Sequence, residues 1–223
     1  MRPPHSQTLD RGLRVLEALA AADAPMSITD LTTVIELHRS IVYRMVRTLE
    51  DHRLISRRSD GLYELGLGLS ALARTVNGAL QAAALPELSD LANDVGMTAF
   101  IVVPDGEEAV TLLSVEPRRT HVHVAHRPGA RHPIDRGAPG IAILAGRPPL
   151  SNERANITAA RAEGWAYSFG EVLSGMRSVA APVVDRRGDV PASVAVVYVG
   201  EVDRGELGRR VAAAAVAVAE RLA

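Results

Sequence analysis

Six arginines, at positions 39, 44, 47, 53, 57 and 58, crowd the segment 38–58 against only Glu50 and Asp51. Six minus two leaves a formal +4 there, inside a chain whose net charge is −1. Such local asymmetry is the footprint of a surface that tracks phosphates. The spacing sharpens this reading. Ile41, Val42, Met45, Val46 and Leu49 recur as one helical stripe, which leaves Arg39, Ser40, Tyr43, Arg44 and Arg47 on the opposite face. Arg57 and Arg58 follow in a pair of alternating segments, 54–58 and 62–65, that meet across Ser59-Asp60-Gly61, a tight-turn signal. These side chains have the chemistry of a DNA reader, with planar guanidinium groups and hydroxyls for base edges on the helix and cations for phosphates on the hairpin.

A second group of polar residues lies further on. His121, His123, His126, His132 and Asp135 have the residue types of a metal cluster. Alternation places His121 and His123 on one strand face, but the spacing does not guarantee three converging ligands. No metal is expected, and the imidazoles of His121 and His132 are read as partners for a ligand carboxylate or carbonyl. Gly137-Ala138-Pro139-Gly140 is a turn or helix start whose amides could meet an anion. Ser168, Ser174 and Ser178 lack the setting of an activated nucleophile, and no glycine-rich phosphate cradle follows a strand. All 25 basic residues are Arg, so P-loop and Schiff-base lysine chemistry is absent, and zero cysteines exclude disulfides and thiolate sites. No enzymatic activity and no cofactor are expected.

The elements that must position these groups are legible. Ser27 followed by Asp30 has the form of a capping box and opens a helix carrying Ile28, Leu31, Val34 and Ile35, which ends near Leu37-His38. The Arg-bearing helix follows after a short turn, so the pair reads as a helix-turn-helix with a wing behind it. Leu9, Leu13, Leu16 and Leu19 add an earlier helix that stops at Ala24-Pro25. A linker helix is expected over 67–84, ending before Pro86 and packing against a partner subunit. Beyond it come a helix at 87–95 and strands at 97–103, 109–115 and 120–126. A Pro/Gly-rich stretch, 127–140, leads into short helices at 141–145 and 156–163. Strands at 165–168, 178–184 and 193–199 and an Ala-rich helix at 206–222 complete an α+β arrangement. At 223 residues and 47% hydrophobic, the chain is long enough for one large or two small domains with real cores, and with no apolar run long enough to span a bilayer and no signal-peptide pattern a cytoplasmic location is expected.

Together these segments resemble the IclR family of bacterial transcriptional regulators. The likeness is carried by the run from Leu9 to Leu16, by Val42-Tyr43-Arg44-Met45-Val46-Arg47-Thr48-Leu49-Glu50, by Gly61-Leu62-Tyr63-Glu64-Leu65-Gly66, by Gly164-Trp165-Ala166, by Gly170-Glu171 and by the run from Gly175 to Val183. The resemblance implies a winged helix-turn-helix domain at 1–66, the linker at 67–84, and a GAF-like effector-binding domain with an antiparallel sheet at 85–223. It implies dimers through the DNA-binding region, often tetramers, double-stranded operator DNA as partner, and a small-molecule effector. At the positions matching the family's pocket stand Ser168, Ser178, Ala195 and Val197, with Val124, Ala138, Pro139 and Met176 nearby and His121 and His132 as polar partners. That lining points to a ligand more apolar than a two- or three-carbon acid. Two departures stand out: the chain is short between Ala145 and Gly164, and Arg53 occupies a position where the family generally has Gly. Two rival readings remain, a DNA-binding regulator with a degenerate pocket and a small-molecule enzyme with a helical dimerisation module.

Overall fold

In the computed structural model, which describes residues 6–73, 75–119, 124 and 126–222, the Ser27 capping box forms as its spacing requires. Ser27 N–H donates to Asp30 Oδ2 at 2.9 Å and Asp30 N–H donates to Ser27 Oγ at 3.2 Å, starting helix α2 (Ile28–Ile35). Hydrogen bonding from the Ser27 side chain, and then from its backbone N–H, holds the Asp30 carboxyl below its usual value. Helices α1 (Gln7–Ala21) and α3 (Arg39–Asp51) pack with it over Val15, Leu19, Leu31, Ile35, Val42 and Val46. Strands β1 (Ile55–Arg57) and β2 (Tyr63–Leu65) pair antiparallel with Arg57 opposite Tyr63, forming the wing. A bridge unread in the sequence ties the wing down: Met26 and Tyr63 exchange backbone hydrogen bonds of 2.9 and 2.8 Å.

The joint between α3 and the wing is a tight helix-ending turn. Arg53 N–H donates to the Glu50 carbonyl and Leu54 N–H to the Leu49 carbonyl, both at 2.8 Å, while Arg53 takes φ 59°. This pair of bonds closes a helix through one left-handed residue, a place where glycine is free of strain and Arg is not. The chain leaving the wing then folds back onto the same turn. Gly66 N–H donates to the Leu54 carbonyl and Gly68 N–H to the Arg53 carbonyl. A Cβ at Gly66 would lie 2.3 Å from Arg53 O, so no larger residue fits without moving backbone.

The chain divides into two compact units, Met1–Asn77 and Gly78–Ala223. The expected single linker helix over 67–84 is corrected. Helix α4 (Gly68–Ala73) ends before a turn with Asn77 at φ 50°, and helix α5 (Gly78–Val95) runs straight through Pro86. Proline removes one backbone donor, at about 3 kcal/mol in a helix interior. Burial of Leu80 before it and of Leu88 and Leu91 after it offsets that loss, each buried leucine contributing roughly 1.5–3 kcal/mol.

The second unit is a six-stranded antiparallel sheet in the order β5-β4-β3-β8-β7-β6, comprising β3 (Thr98–Asp105), β4 (Glu108–Val115), β5 (Arg131–Pro133), β6 (Ala166–Phe169), β7 (Arg177–Val183) and β8 (Ala192–Tyr198). Helices α5 and α8 (Arg204–Arg221) cover one face, and α6 (Gly137–Gly146) and α7 (Ala155–Glu163) cover the other. Every residue of β8 is buried because both faces are covered. The Pro/Gly-rich stretch over 127–140 contains β5, whose three residues pair with 108–110 of β4, and Gly137–Gly140 is the helix-start alternative, being the first turn of α6. The expected strand at 120–126 falls largely outside the described residues. Among the described residues no helix is long and apolar enough to cross a membrane.

The strained joint gives a stability test. Arg53→Gly should raise unfolding free energy by about 0.5–1 kcal/mol, while Arg53→Ala, which keeps a Cβ in the left-handed region, should gain nothing. Gly66→Ala should lower it by roughly 2 kcal/mol or more through the backbone clash. Urea denaturation followed by circular dichroism compares the three, and an Arg53→Gly protein no more stable than its parent would contradict the strain.

Candidate nucleic-acid interface and ligand cavity

The cationic face forms because α3 buries Val42, Met45 and Val46 and leaves the rest of its circumference to solvent. Arg39, Ser40, Tyr43, Arg44 and Arg47 are all exposed on it. His38 caps the helix: its Nδ1 accepts from Ser40 N–H at 3.4 Å and lies 2.9 Å from Ser40 Oγ. With that nitrogen acting as acceptor, the Ser40 hydroxyl donates to it and keeps its lone pairs outward. Arg39, Arg44 and Arg47 have no carboxylate partner among the described residues. Elsewhere the chain pairs its arginines freely, as in Arg131 with Asp105 and Glu108 or Arg210 with Glu206.

The wing brings two of its own arginines to different ends. Arg57 lies 5.7 Å over the Tyr63 ring and shares with Tyr43 and Arg47 a recess that Glu50 and Asp51 also line, so helix and wing meet at one surface. Arg58 instead reaches Asp60 at 3.3 Å and Glu64 at 3.7 Å. Those half-exposed pairs are weak enough for a phosphate to replace them. Arg44 stands on the opposite flank, where α1 and α3 enclose an apolar groove of about 620 Å³ lined by Leu9, Leu13, Leu16, Ile41, Met45 and Leu49. Leu9 on α1 is 63% exposed and Leu72 on α4, a helix with no buried residue, is also 63% exposed.

In the second unit a cavity opens between α6 and the sheet. Of the residues named from sequence, His132, Pro139, Ser168, Met176, Ser178 and Val197 line it. Ala138 and Ala195 are fully buried behind the wall. Val124 lines a separate recess with Met97, Thr98 and Tyr198, and its carbonyl accepts from Thr98 Oγ1 at 2.7 Å. His121 lies outside the described residues. The cavity also takes in Phe100, His126, Gly137, Glu171, Val172, Leu173 and Arg177, which the sequence reading did not place. Phe100 could not be found from its own strand alone, since only its register opposite Ala195 puts it on the cavity face.

Most polar groups here already have partners. Ser178 Oγ donates to the Val196 carbonyl at 2.9 Å, so its hydroxyl proton is not available to a ligand as expected from sequence. Ser168 Oγ accepts from Ala138 N–H at 2.8 Å and keeps a proton to donate. Glu171 accepts from Gly137 N–H at 2.7 Å, filling the amide position at the α6 start that the sequence reading offered to an anion. His126 Nε2 lies 2.8 Å from Thr111 Oγ1 and its ring 4.0 Å from Phe100. Burial, with a smaller contribution from neighbouring His132, pushes its pKa down to about 4. The enclosed volume is about 40 Å³, enough for a water or two. Among the described residues no three His, Asp or Glu side chains converge on a metal position. The shortened 146–163 segment still forms α7, and Arg161 reaches from it to Glu153 and to the Leu144 and Arg147 carbonyls, closing the connection to α6.

Residues 8–59 match the IclR helix-turn-helix domain, and residues 150–222 match the bacterial transcriptional regulator IclR C-terminal domain. The chain is 30% identical to a probable transcriptional regulator, SauR, of Cupriavidus necator, covering 83% of each chain. It is 28% identical to the glycerol operon regulatory protein of Streptomyces griseus, over 89% of this chain and 86% of that one. Among solved structures, an IclR transcriptional regulator from Alicyclobacillus acidocaldarius superposes with a TM-score of 0.78 at 24% identity, over 99% of this chain and 100% of that one. An IclR homologue from Microbacterium hydrocarbonoxydans complexed with 4-hydroxybenzoate gives 0.82 at 21% identity, over 97% and 99%.

The buried His126 makes stability pH-dependent. A histidine held below its unfolded value contributes stability that is present above about 6.5 and is lost as pH falls toward 4. Allowing for its partial exposure, about 1–2 kcal/mol should be lost by pH 5, and His126→Gln should remove that share of the loss. Thermal unfolding at pH 7.5 and 5 for parent and variant measures it, and identical pH slopes would contradict a buried neutral imidazole.

Proposed function

The chain belongs to the IclR family and is a DNA-binding helix-turn-helix transcriptional regulator, and from that premise we propose that it is a dimeric repressor released from its operator by a small, partly apolar carboxylate. The observation that carries the DNA half is the unpaired cationic face of α3 continuing onto the wing. Arg39, Ser40, Tyr43, Arg44 and Arg47 are assigned to the major groove. Arg57 and Arg58 are assigned to flanking phosphates, with Arg58 exchanging Asp60 and Glu64 for the DNA. Relatives named as repressors, among them AllR of Klebsiella pneumoniae, support the direction of control.

Dimerisation is assigned to the first unit. One winged helix buries too little surface for operator-level affinity, so two copies on a palindromic site are needed. The exposed Leu67, Leu72 and Val76 beyond the wing are an apolar surface that a second copy would cover.

The effector is assigned to the cavity beneath α6. Phe100, Pro139, Met176 and Val197 offer apolar contact, and Ser168 offers a hydroxyl donor. The relative with bound 4-hydroxybenzoate supports an aromatic acid as the ligand class. Its entry requires the 170–175 loop to move, because about 40 Å³ is far below the roughly 300 Å³ of ordinary ligand sites. That loop carries the half-exposed Val172 and Leu173 between Gly170 and Gly175, both at positive φ. The small volume also favours a second reading, a regulator that binds DNA without any ligand response.

Arg44→Ala should cost about 1–3 kcal/mol of affinity for the operator while sparing other sequences, if it holds a base edge in bidentate fashion. Arg57→Ala should weaken all duplexes alike and flatten the salt dependence by about one unit. Shift assays on the chain's own upstream DNA across a salt series separate these outcomes, and unchanged binding by folded Arg44→Ala would remove α3 from recognition. Val197→Phe, which fills the cavity, should abolish release by aromatic acids and leave operator affinity intact. Release by the parent but equally by Val197→Phe would place the effector elsewhere, and no release of the parent by any acid would favour the ligand-independent reading.

A further inference from the structure

The charges around the cavity do not balance for an anion. Among the described residues lining it, the ionisable side chains are His126, His132, Glu171 and Arg177. Arg177 has its charge offset: its guanidinium bonds Glu201 and lies 4.5 Å over the Phe169 ring, leaving its buried Nε–H without a partner. Glu171 puts a carboxylate into the wall, with its Oε2 on Gly137 N–H and only a half-exposed Arg154 at 3.8 Å to offset it. A ligand carboxylate entering here would be desolvated beside a like charge, and the arginine that lines the cavity is already ion-paired with Glu201. Burying an unpaired carboxylate is strongly unfavourable, and the usual resolution is a change of protonation.

The two imidazoles are the lining groups able to add a further positive charge, by taking up a proton. His132 Nδ1 lies 3.0 Å from the Pro133 carbonyl, which can only accept, so this nitrogen carries the hydrogen and the neutral ring keeps a lone pair on Nε2. Protonation at Nε2 adds a donor and disturbs no existing bond. His126 sits between Phe100 of β3 and Thr111 of β4, with His132 of β5 as its charged-state neighbour and with Glu171 and Arg177 also lining the cavity.

We propose that an acidic effector enters this cavity together with one proton, which His126 or His132 carries as the imidazolium partner of the ligand carboxylate. This rests on the cavity being the effector site. The depressed pKa of His126, about 4, means that this ring is neutral in the empty cavity near neutral pH and has a proton to gain. The sign follows: the proton is held more tightly in the complex than in the free protein, so affinity for the acid rises as pH falls between the two values and is flat above the higher one. An uncharged analogue of the same shape brings no charge to balance and binds without the proton.

The test titrates benzoate and benzamide into the full-length protein by calorimetry between pH 8 and 6, in buffers of different ionisation enthalpy. Benzoate should tighten by about tenfold over that range with net proton uptake, whereas benzamide should show neither. Uptake should persist in Glu171→Gln and vanish in His126→Gln/His132→Gln. If the double variant fails to fold by circular dichroism, at least one of the two single variants must lose the uptake. Benzoate binding with a flat pH profile and no uptake overturns the proposal and leaves the effector site standing. So does uptake that survives the loss of both histidines or disappears in Glu171→Gln, since Glu171 would then be the carrier. Failure of both benzoate and benzamide to bind at every pH would overturn the effector-site reading along with the proposal.

Discussion

Every helix leaves backbone amides at its start and carbonyls at its end without intrahelical partners, and both candidate sites of this protein lie where neighbouring segments supply them. At the end of α2, Arg14 donates to the Ile35 carbonyl at 3.1 Å. At the end of α3, the Leu49 and Glu50 carbonyls are closed by the turn itself, and the chain leaving the wing adds a bond to the Arg53 carbonyl. At the start of α6, Ser168 and Glu171 reach across from β6 and the loop after it to the Ala138 and Gly137 amides. Each contact fixes a helix against an element distant in sequence, and in doing so fixes the side chains that the helix presents.

For the DNA-reading surface the consequence is rigidity. The wing can lie beside α3 only because Gly66 and Gly68 allow the chain to approach the Arg53 carbonyl, and the Met26 bridge to Tyr63 holds it from the other side. Arg57 and Arg47 then share a recess, although ten residues separate them. The left-handed Arg53 is the strain this arrangement tolerates. Nothing in the structure assigns its side chain a compensating contact.

For the cavity the same principle works in the opposite sense. The groups that satisfy the α6 amides are a hydroxyl and a carboxylate borrowed from the wall, so the wall is polar where it meets the helix and apolar elsewhere. Glu171 completes the helix start and at the same time sets the charge that a ligand must meet. The histidines matter because the arginine that lines this cavity already has its charge offset by Glu201, whereas an imidazole can gain one.

Local pattern was enough to read the helix-turn-helix, its capping box, the outward arginines and the order of most strands. These depend on interactions within a few residues, and a helical or alternating period records which face is buried. The linker was misread because Pro86 stops helices locally, whereas burial of Leu80, Leu88 and Leu91 on one continuous core carries α5 through it. The split fates of Arg57 and Arg58 were invisible, since both lie in one hairpin and differ only in which side of the strand pair they occupy. The cavity was half legible: Ser168, Ser178 and Val197 line it while Ala195 lies behind its wall, and Phe100 and His126 joined them only through strand register and packing. What the sequence determined by itself was the set of groups available for chemistry and the elements that carry them. Which of those groups are free to act, and which are already held by a partner far along the chain, only the tertiary structure decided, because a hydrogen bond or ion pair between distant residues leaves no periodicity to read.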